Sequence, residues 1–311
     1  MFCRKDGSTV TITIGEDESD PMLVVSDLLI HLSADQMQKT AAQVIAGEQL
    51  NVILGTEPVT GEGADLVKLN VMRLLNEKYG IIEEDFRSAE LTVVPAGRCR
   101  EVGLDRSLLG AYGHDDRVCA YAEIEPMLTL PTPRHTAVCI LADKEEIGSV
   151  GNTGLNSDFI LHYIEFLAQN AGVDYKDVCA NALCMSSDVN AAFDPTFPSV
   201  HEPMNASYAG KGCVITKYTG SRGKSGSNDA SAEVMQKVVA MMDEEKVYWQ
   251  IGELGAIDVG GGGTVAAYVA HMNIDVVDVG VPILSMHSPF ELAAKVDVYN
   301  AYRAYLAFFK H

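Results

Sequence analysis

From about Arg100 onward the sequence runs in a repeating order: a short continuous apolar segment, a polar loop, then a longer stretch whose apolar residues recur at helical spacing. "TAVCILAD" (136–143) precedes "SDFILHYIEFLAQNAG" (157–172), and "NALCMSSD" (181–188) precedes "SNDASAEVMQKVVAMMDEEK" (227–246) across a long loop. "IDVVDVG" (274–280) precedes a terminal helix. Strands that are apolar on both faces need cover on both, and parallel neighbours need a connection long enough for a helix. The order therefore predicts an α/β fold, a mainly parallel sheet with helices on both faces. Ser288, Pro289 and Glu291 read as N-cap, first position and capping-box acid of the terminal helix, with Leu292, Tyr299, Tyr302 and Leu306 near helical spacing behind them.

The first hundred residues have a different texture. "STVTITIG" (8–15), "LNVILG" (50–55) and "AELTVVPAG" (89–97) are short, β-branched and alternating, and read as strands. "SADQMQKTAAQVIAG" (33–47) and "GADLVKLNVMRLLNEKYG" (63–80) read as helices beside them. The expectation is two domains, a small β-rich one over residues 1–100 and an α/β one over 101–311. A chain of 311 residues with 47% hydrophobic side chains can bury cores for both.

Charge and cysteine usage narrow the function. Forty-three acidic against 23 basic side chains leave a net charge of −20, which repels nucleic acid and anionic membrane. No apolar run approaches the roughly 20 residues that span a bilayer, and "MFCRKDGSTV" lacks a signal-peptide plan. Seven cysteines without C-x-x-C spacing indicate neither a disulfide framework nor a thiolate zinc site. A cytoplasmic protein with reduced thiols is expected.

In open α/β sheets, functional side chains gather beyond the carboxyl ends of strands. Asp115 in "AYGHDDR", the pair Glu145 and Glu146 in "LADKEEIGSVGNTG", Asp188 in "LCMSSD" and His287 in "VPILSMHSP" all fall at such places. Taken singly, a Glu-Glu pair is more often a solvated face, an Asp at a strand end a turn former or cap, and a lone His a packing residue. Together, carboxylates plus imidazole without thiolate suit a two-metal hydrolytic site for zinc, manganese or cobalt. One glutamate could then coordinate while its neighbour stays free as a general base.

"GHDDR", "DKEEIGS", "SSD…FDP" and "SMHSP", in this order and at these separations, resemble the M18 family of metallo-aminopeptidases, the aminopeptidase I and aspartyl aminopeptidase group. "SDLLIHLSADQ" and "GEQLNVILGTEP" resemble that family's inserted oligomerisation domain, so the resemblance covers nearly the whole chain. The Glu-Glu pair and the bridging Asp alone would suit the related M42 aminopeptidases equally.

The resemblance implies an aminopeptidase that releases N-terminal residues from peptides with two divalent metal ions, zinc first and cobalt or manganese as alternatives. It also implies a large homo-oligomer, a dodecamer, that encloses its sites. Asp115 would bridge the two metals with a cis peptide bond to Asp116, Glu146 and His287 would complete one position, and Asp188 would serve the other. Glu145 would be the general base. His31 resembles a histidine that reaches into a neighbouring subunit's site.

"DVGGGGTVAAY" (258–268) fits neither a Walker loop nor a dinucleotide fingerprint. Gly261 and Gly262 are instead candidates for close substrate approach. Lys217 is a candidate partner for a substrate carboxylate, while Arg222 and Lys224 read as solvated loop residues.

The sequence departs from the family in three ways. The family's upstream H-x-D motif supplies a further metal-ligand histidine, and nothing before Asp115 matches it. The chain also starts in what resembles the middle of the insert domain. The expectation is a chain lacking its N-terminal portion, with one metal position reduced to Asp115 and Asp188 and hydrolysis impaired. The alternative function is then a truncated remnant that binds metal and oligomerises. Ala191 and Asp194 stand where eukaryotic-type members carry histidines, which puts a preference for acidic N-terminal residues in doubt.

Overall fold

The computed structural model describes residues 1–311. The chain divides into two compact units, Met1–Ala96 and Gly97–His311.

In the first unit, strand pairing is confined to two short antiparallel ladders. β1 (Phe2–Cys3) pairs with β2 (Thr9–Val10), and β3 (Val24–Val25) with β4 (Val52–Ile53). Helix α1 (Leu66–Tyr79) ends at Gly80, whose φ of +67° closes the last turn through its N–H on the Asn76 carbonyl. Phe2 meets Phe86 edge-on at 5.1 Å, and Ile81 is fully buried. The segment 33–47, read as a helix, is broken into 3-10 turns at Gln36–Gln38 and Ala41–Gln43. Lys39 and Thr40 between them are extended, and the Thr40 hydroxyl bonds Gln43 Oε1 instead of leaving the backbone to helix. Residues 89–97 form no ladder, and Leu91 and Val93 stand exposed.

The second unit is α/β with helices on both faces. In chain order its elements are β5 (Arg100–Val102), β6 (Leu108–Ala111), α2 (His114–Thr129), α3 (Phe159–Ala171), α4 (Tyr175–Asn181), β7 (Leu183–Ser186), β8 (Asn190–Ala191), β9 (Cys213–Thr216), α5 (Ala232–Glu244), β10 (Trp249–Ile251), α6 (Ala266–His271), β11 (Asp275–Gly280), β12 (Pro282–Leu284), β13 (Glu291–Ala294) and α7 (Lys295–Lys310). One sheet has the order β10-β9-β11-β7 and the other β5-β6-β13-β12-β8. Asn190 N–H donates to the Val281 carbonyl, joining them where β7 runs on to β8 and β11 to β12.

The ladders are mixed. β10 with β9, β11 with β7 and β12 with β8 are parallel; β11 with β9, and the β12, β13, β6, β5 series, are antiparallel. The antiparallel series follows from short connections: residues 285–290 turn β12 directly back into β13, with no room for a helical crossover. Successive side chains of β11 point to opposite faces. Val277 and Val279 pack among Val118, Val234 and Tyr305 of α2, α5 and α7, and Val276 packs with Ala266 and Val269 of α6.

Two local readings change. "TAVCILAD" has no ladder partner, although burial alternates between half-buried Ala137 and Cys139 and exposed Val138 and Ile140. The terminal helix starts at Lys295, so Glu291 is a strand residue opposite Ala111, and the apparent capping box is not formed. No helix is long and apolar enough to cross a membrane.

Candidate metal centre

Three strand ends and one turn deliver the acidic and imidazole groups. β6 leads through Gly113, at φ +73°, into Asp115, which sits at the mouth of α2 with non-helical dihedrals. Its peptide bond to Asp116 is cis, as the resemblance implied. Asp188 lies just past β7, and His287 just past β12 with a φ of +62°. Glu145 and Glu146 occupy a 3-10 turn, Glu145–Ile147, flanked by Lys144 at φ +65° and Gly148 at φ +95°. Gly148 N–H on the Glu145 carbonyl (2.8 Å) and Ser149 N–H on the Lys144 carbonyl (2.8 Å) close that turn.

The side chains converge into two sets that share one member. The ligating atoms of Asp115, Glu146 and His287 lie within 4.8 Å of one another, and so do those of Asp115, Asp116 and Asp188. His287 Nε2 is 2.8 Å from Asp115 Oδ2 and 3.5 Å from Glu146 Oε1. The Asp115 side chain is only 9% exposed, whereas those of His287 and Glu146 are 63% and 58% exposed. The centre is closed on the Asp115 side and open where His287 and Glu146 face out.

Electrostatics show what the arrangement needs. Burial, then the Glu146 charge, raises Asp115 to about 6. Burial, then Asp188, pushes Asp116 well above the carboxylate range; burial, then Glu145, does the same to Asp188. Glu145 is raised by burial and then by Glu146. Gathering these acids without a cation favours protonation. Asp116 Oδ1 is buried with no hydrogen-bond partner. An unpartnered buried carboxylate oxygen beside two further carboxylates fits a divalent cation, and the imidazole set suits zinc more than the all-carboxylate set does.

The sign of the pH dependence follows. Asp115 is about 6 in the fold against an ordinary 3.8, so the folded chain binds more protons than the unfolded one between those values. That contribution to metal-free stability is present below about pH 4 and lost as pH rises through 6. Protons also compete with the cation below pH 6. The zinc-induced rise in melting temperature should therefore be larger at pH 7.5 than at pH 5.5; equal shifts in thermal melts at the two pH values would refute this account.

The structure adds residues that the motifs did not single out. Asp116 gives the second set a third carboxylate, where the sequence reading expected two donors. Its signal was simple adjacency within "GHDDR". Glu291 accepts the backbone N–H of Asp115 (3.0 Å) and of His287 (2.7 Å). Asp278, buried on β11, accepts from Thr264 Oγ1 at 2.7 Å, and burial raises it to about 6. A lone acid within "IDVVDVG" was its signal. Glu123 on α2, pushed up to about 8 by burial, bonds Ser187, whose hydroxyl also meets Tyr305.

The remaining candidates are not members of either donor set. Lys217 Nζ is held by Asp229 Oδ1 and the Ala230 carbonyl. Gly261, at φ +114°, packs so closely on the Gly220 carbonyl that a Cβ would fall 2.4 Å from its oxygen, so loop packing requires glycine there. A Cβ on Gly262 would make an ordinary 3.5 Å contact with Leu254. His31 belongs to the first unit, exposed in the 3-10 turn Ile30–Leu32.

Comparison with known proteins agrees with this chemistry. Residues 1–309 match the family described as Aminopeptidase I zinc metalloprotease (M18). A protein of Clostridium acetobutylicum named Probable M18 family aminopeptidase 1 is 46% identical, over 99% of this chain and 67% of its own length. The crystal structure of an M18-family aminopeptidase from Thermotoga maritima superposes with a TM-score of 0.95 at 42% identity, covering 99% of this chain and 69% of that one. That of aminopeptidase I from Clostridium acetobutylicum gives 0.94 at 45% identity, over 100% of this chain and 68% of that one.

Proposed function

Because the chain belongs to the M18 family of zinc metallo-aminopeptidases, we propose that it releases N-terminal residues from peptides through two cation positions that share Asp115. The observation that carries this reading is the pair of donor sets meeting at Asp115 with Glu145 outside both. Asp115, Glu146 and His287 would hold one cation, and Asp115, Asp116 and Asp188 the other. When bound, the cations supply Lewis-acid polarisation of the scissile carbonyl and make water acidic enough to ionise near neutral pH.

The chain's own groups do the rest. Glu145 accepts a proton as the water adds to the carbonyl carbon and forms the new C–O bond, then returns it to the amine nitrogen as the tetrahedral intermediate collapses and the peptide C–N bond breaks. In the metal-free chain, burial and then the Glu146 charge raise it above the usual carboxylate range. The open side at His287 and Glu146 leaves room for a peptide terminus. Residues 1–100 would be the insert domain for homo-oligomerisation, and 101–311 the catalytic domain. His31, supplied by a neighbouring subunit of a dodecamer, and Lys217, Gly261 and Gly262 would be substrate contacts. The seven free thiols suit a reducing cytoplasm.

The test is hydrolysis of a panel of aminoacyl amides by metal-stripped protein before and after zinc, cobalt or manganese is restored, with light scattering on the same sample. Metal-dependent turnover in an assembly larger than one chain is the expected result. Turnover that survives chelation undiminished, or metal-loaded protein inert on every amide, would defeat the reading.

A further inference from the structure

Glu291 is the acid that the sequence presents as a helix cap, and the fold gives it other work. It lies on β13, the strand between β6 and β12, and those two strands lead to Asp115 and His287 respectively. The residue is 2% exposed. Both carboxylate oxygens are used, one on each loop: Oε2 accepts the Asp115 N–H at 3.0 Å, and Oε1 accepts the His287 N–H at 2.7 Å. The loops it grips are not regular. His287 holds a φ of +62°, which costs a side chain with a Cβ, and Asp115 departs from helical dihedrals inside the first turn of α2. A helix cap would satisfy donors of one helix; this carboxylate ties two separate backbones to one point on a paired strand.

We propose that Glu291 is a positioning residue for the metal centre, which clamps the backbones of Asp115 and His287 so that Oδ2 and Nε2 stay at ligating separation. This rests on the metal-centre reading above. An anchor outside the ligand set that fixes two ligands at once controls affinity, because the cation need not bear the cost of ordering the loops. Glutamine keeps the size of Glu291 but offers one acceptor oxygen, so Glu291→Gln can restore one clamp bond and Glu291→Ala neither.

The experiment is zinc titration of metal-stripped protein, wild type and both variants, with the visible spectrum of the cobalt(II)-loaded forms and melts of the metal-free forms. Zinc affinity should fall about 10- to 100-fold in Glu291→Gln, the range expected for partners behind metal ligands, and further in Glu291→Ala. The cobalt bands should shift. Unchanged affinity and spectrum in Glu291→Gln, with only a lower metal-free melting temperature, would overturn the proposal and leave Glu291 a structural residue. Should Glu291→Ala not fold, Glu291→Gln carries the test. Wild-type protein that binds no zinc would instead overturn the metal-centre reading, and this proposal with it.

Discussion

Glu145→Gln is expected to lower kcat of the zinc-loaded protein by roughly 10²- to 10⁴-fold, the usual weight of a positioned general base, with zinc content unchanged. Glutamine preserves the length and shape of the side chain, so the 3-10 turn between Lys144 and Gly148 should persist. What disappears is the acceptance of a proton, together with the charge that helps raise Asp188. Zinc content should hold because Glu145 belongs to neither donor set. The neighbour gives the contrast: Glu146→Gln removes a donor from the set with Asp115 and His287, so affinity for the metal should fall first. Steady-state kinetics and elemental analysis on the two variants separate the roles of adjacent acids. Full turnover in Glu145→Gln would exclude it as the base.

Gly280→Ala should be among the most disruptive single substitutions in the second unit. The Cβ would sit 1.6 Å from the Asp188 carbonyl oxygen and 2.6 Å from its carbon, both backbone atoms that no rotamer change can move. Val279 and Val281 on either side are fully buried, so β11 cannot simply slide away. Overpacking of this kind costs about 1–3 kcal/mol when side chains can adjust, and a backbone clash belongs at the upper end or beyond. For a domain of this size each kcal/mol corresponds to roughly 2–4 °C in melting temperature. Any relief must displace Asp188, so the set with Asp115 and Asp116 should lose affinity as well. Gly260→Ala is the control, since a Cβ there meets nothing within 4 Å. Equal melting temperatures and equal metal content for Gly280→Ala and wild type would refute the close approach.

The candidate donors are legible because strand ends are marked in sequence: an apolar run stops and an acid or imidazole follows. Asp115, Glu146 and His287 were found that way, and the structure brings them within ligating distance. Asp116 is less legible, because nothing local separates it from its neighbour Asp115 as a candidate; the tertiary placement of Asp188 brings its carboxylate into the second set. Sheet direction was less legible than class. Apolar runs show that a strand is buried on both faces, but the direction of its neighbour depends on pairings such as β13 with β6 that local sequence does not encode.

The sequence by itself determined the class of the fold, the acidic chemistry and the order of the site motifs, because periodicity, charge and residue type are local properties. The tertiary structure decided which acids lie together, that Glu145 stands outside both sets, and that Glu291 grips two loops. Those are distances between residues far apart in the chain. Ser288, Pro289 and Glu291 satisfy every local rule for a helix start, yet β13 pairs on both sides and takes Glu291 into the sheet. Long-range pairing overrode local propensity there, since two ladders and two charge-assisted hydrogen bonds outweigh a single cap.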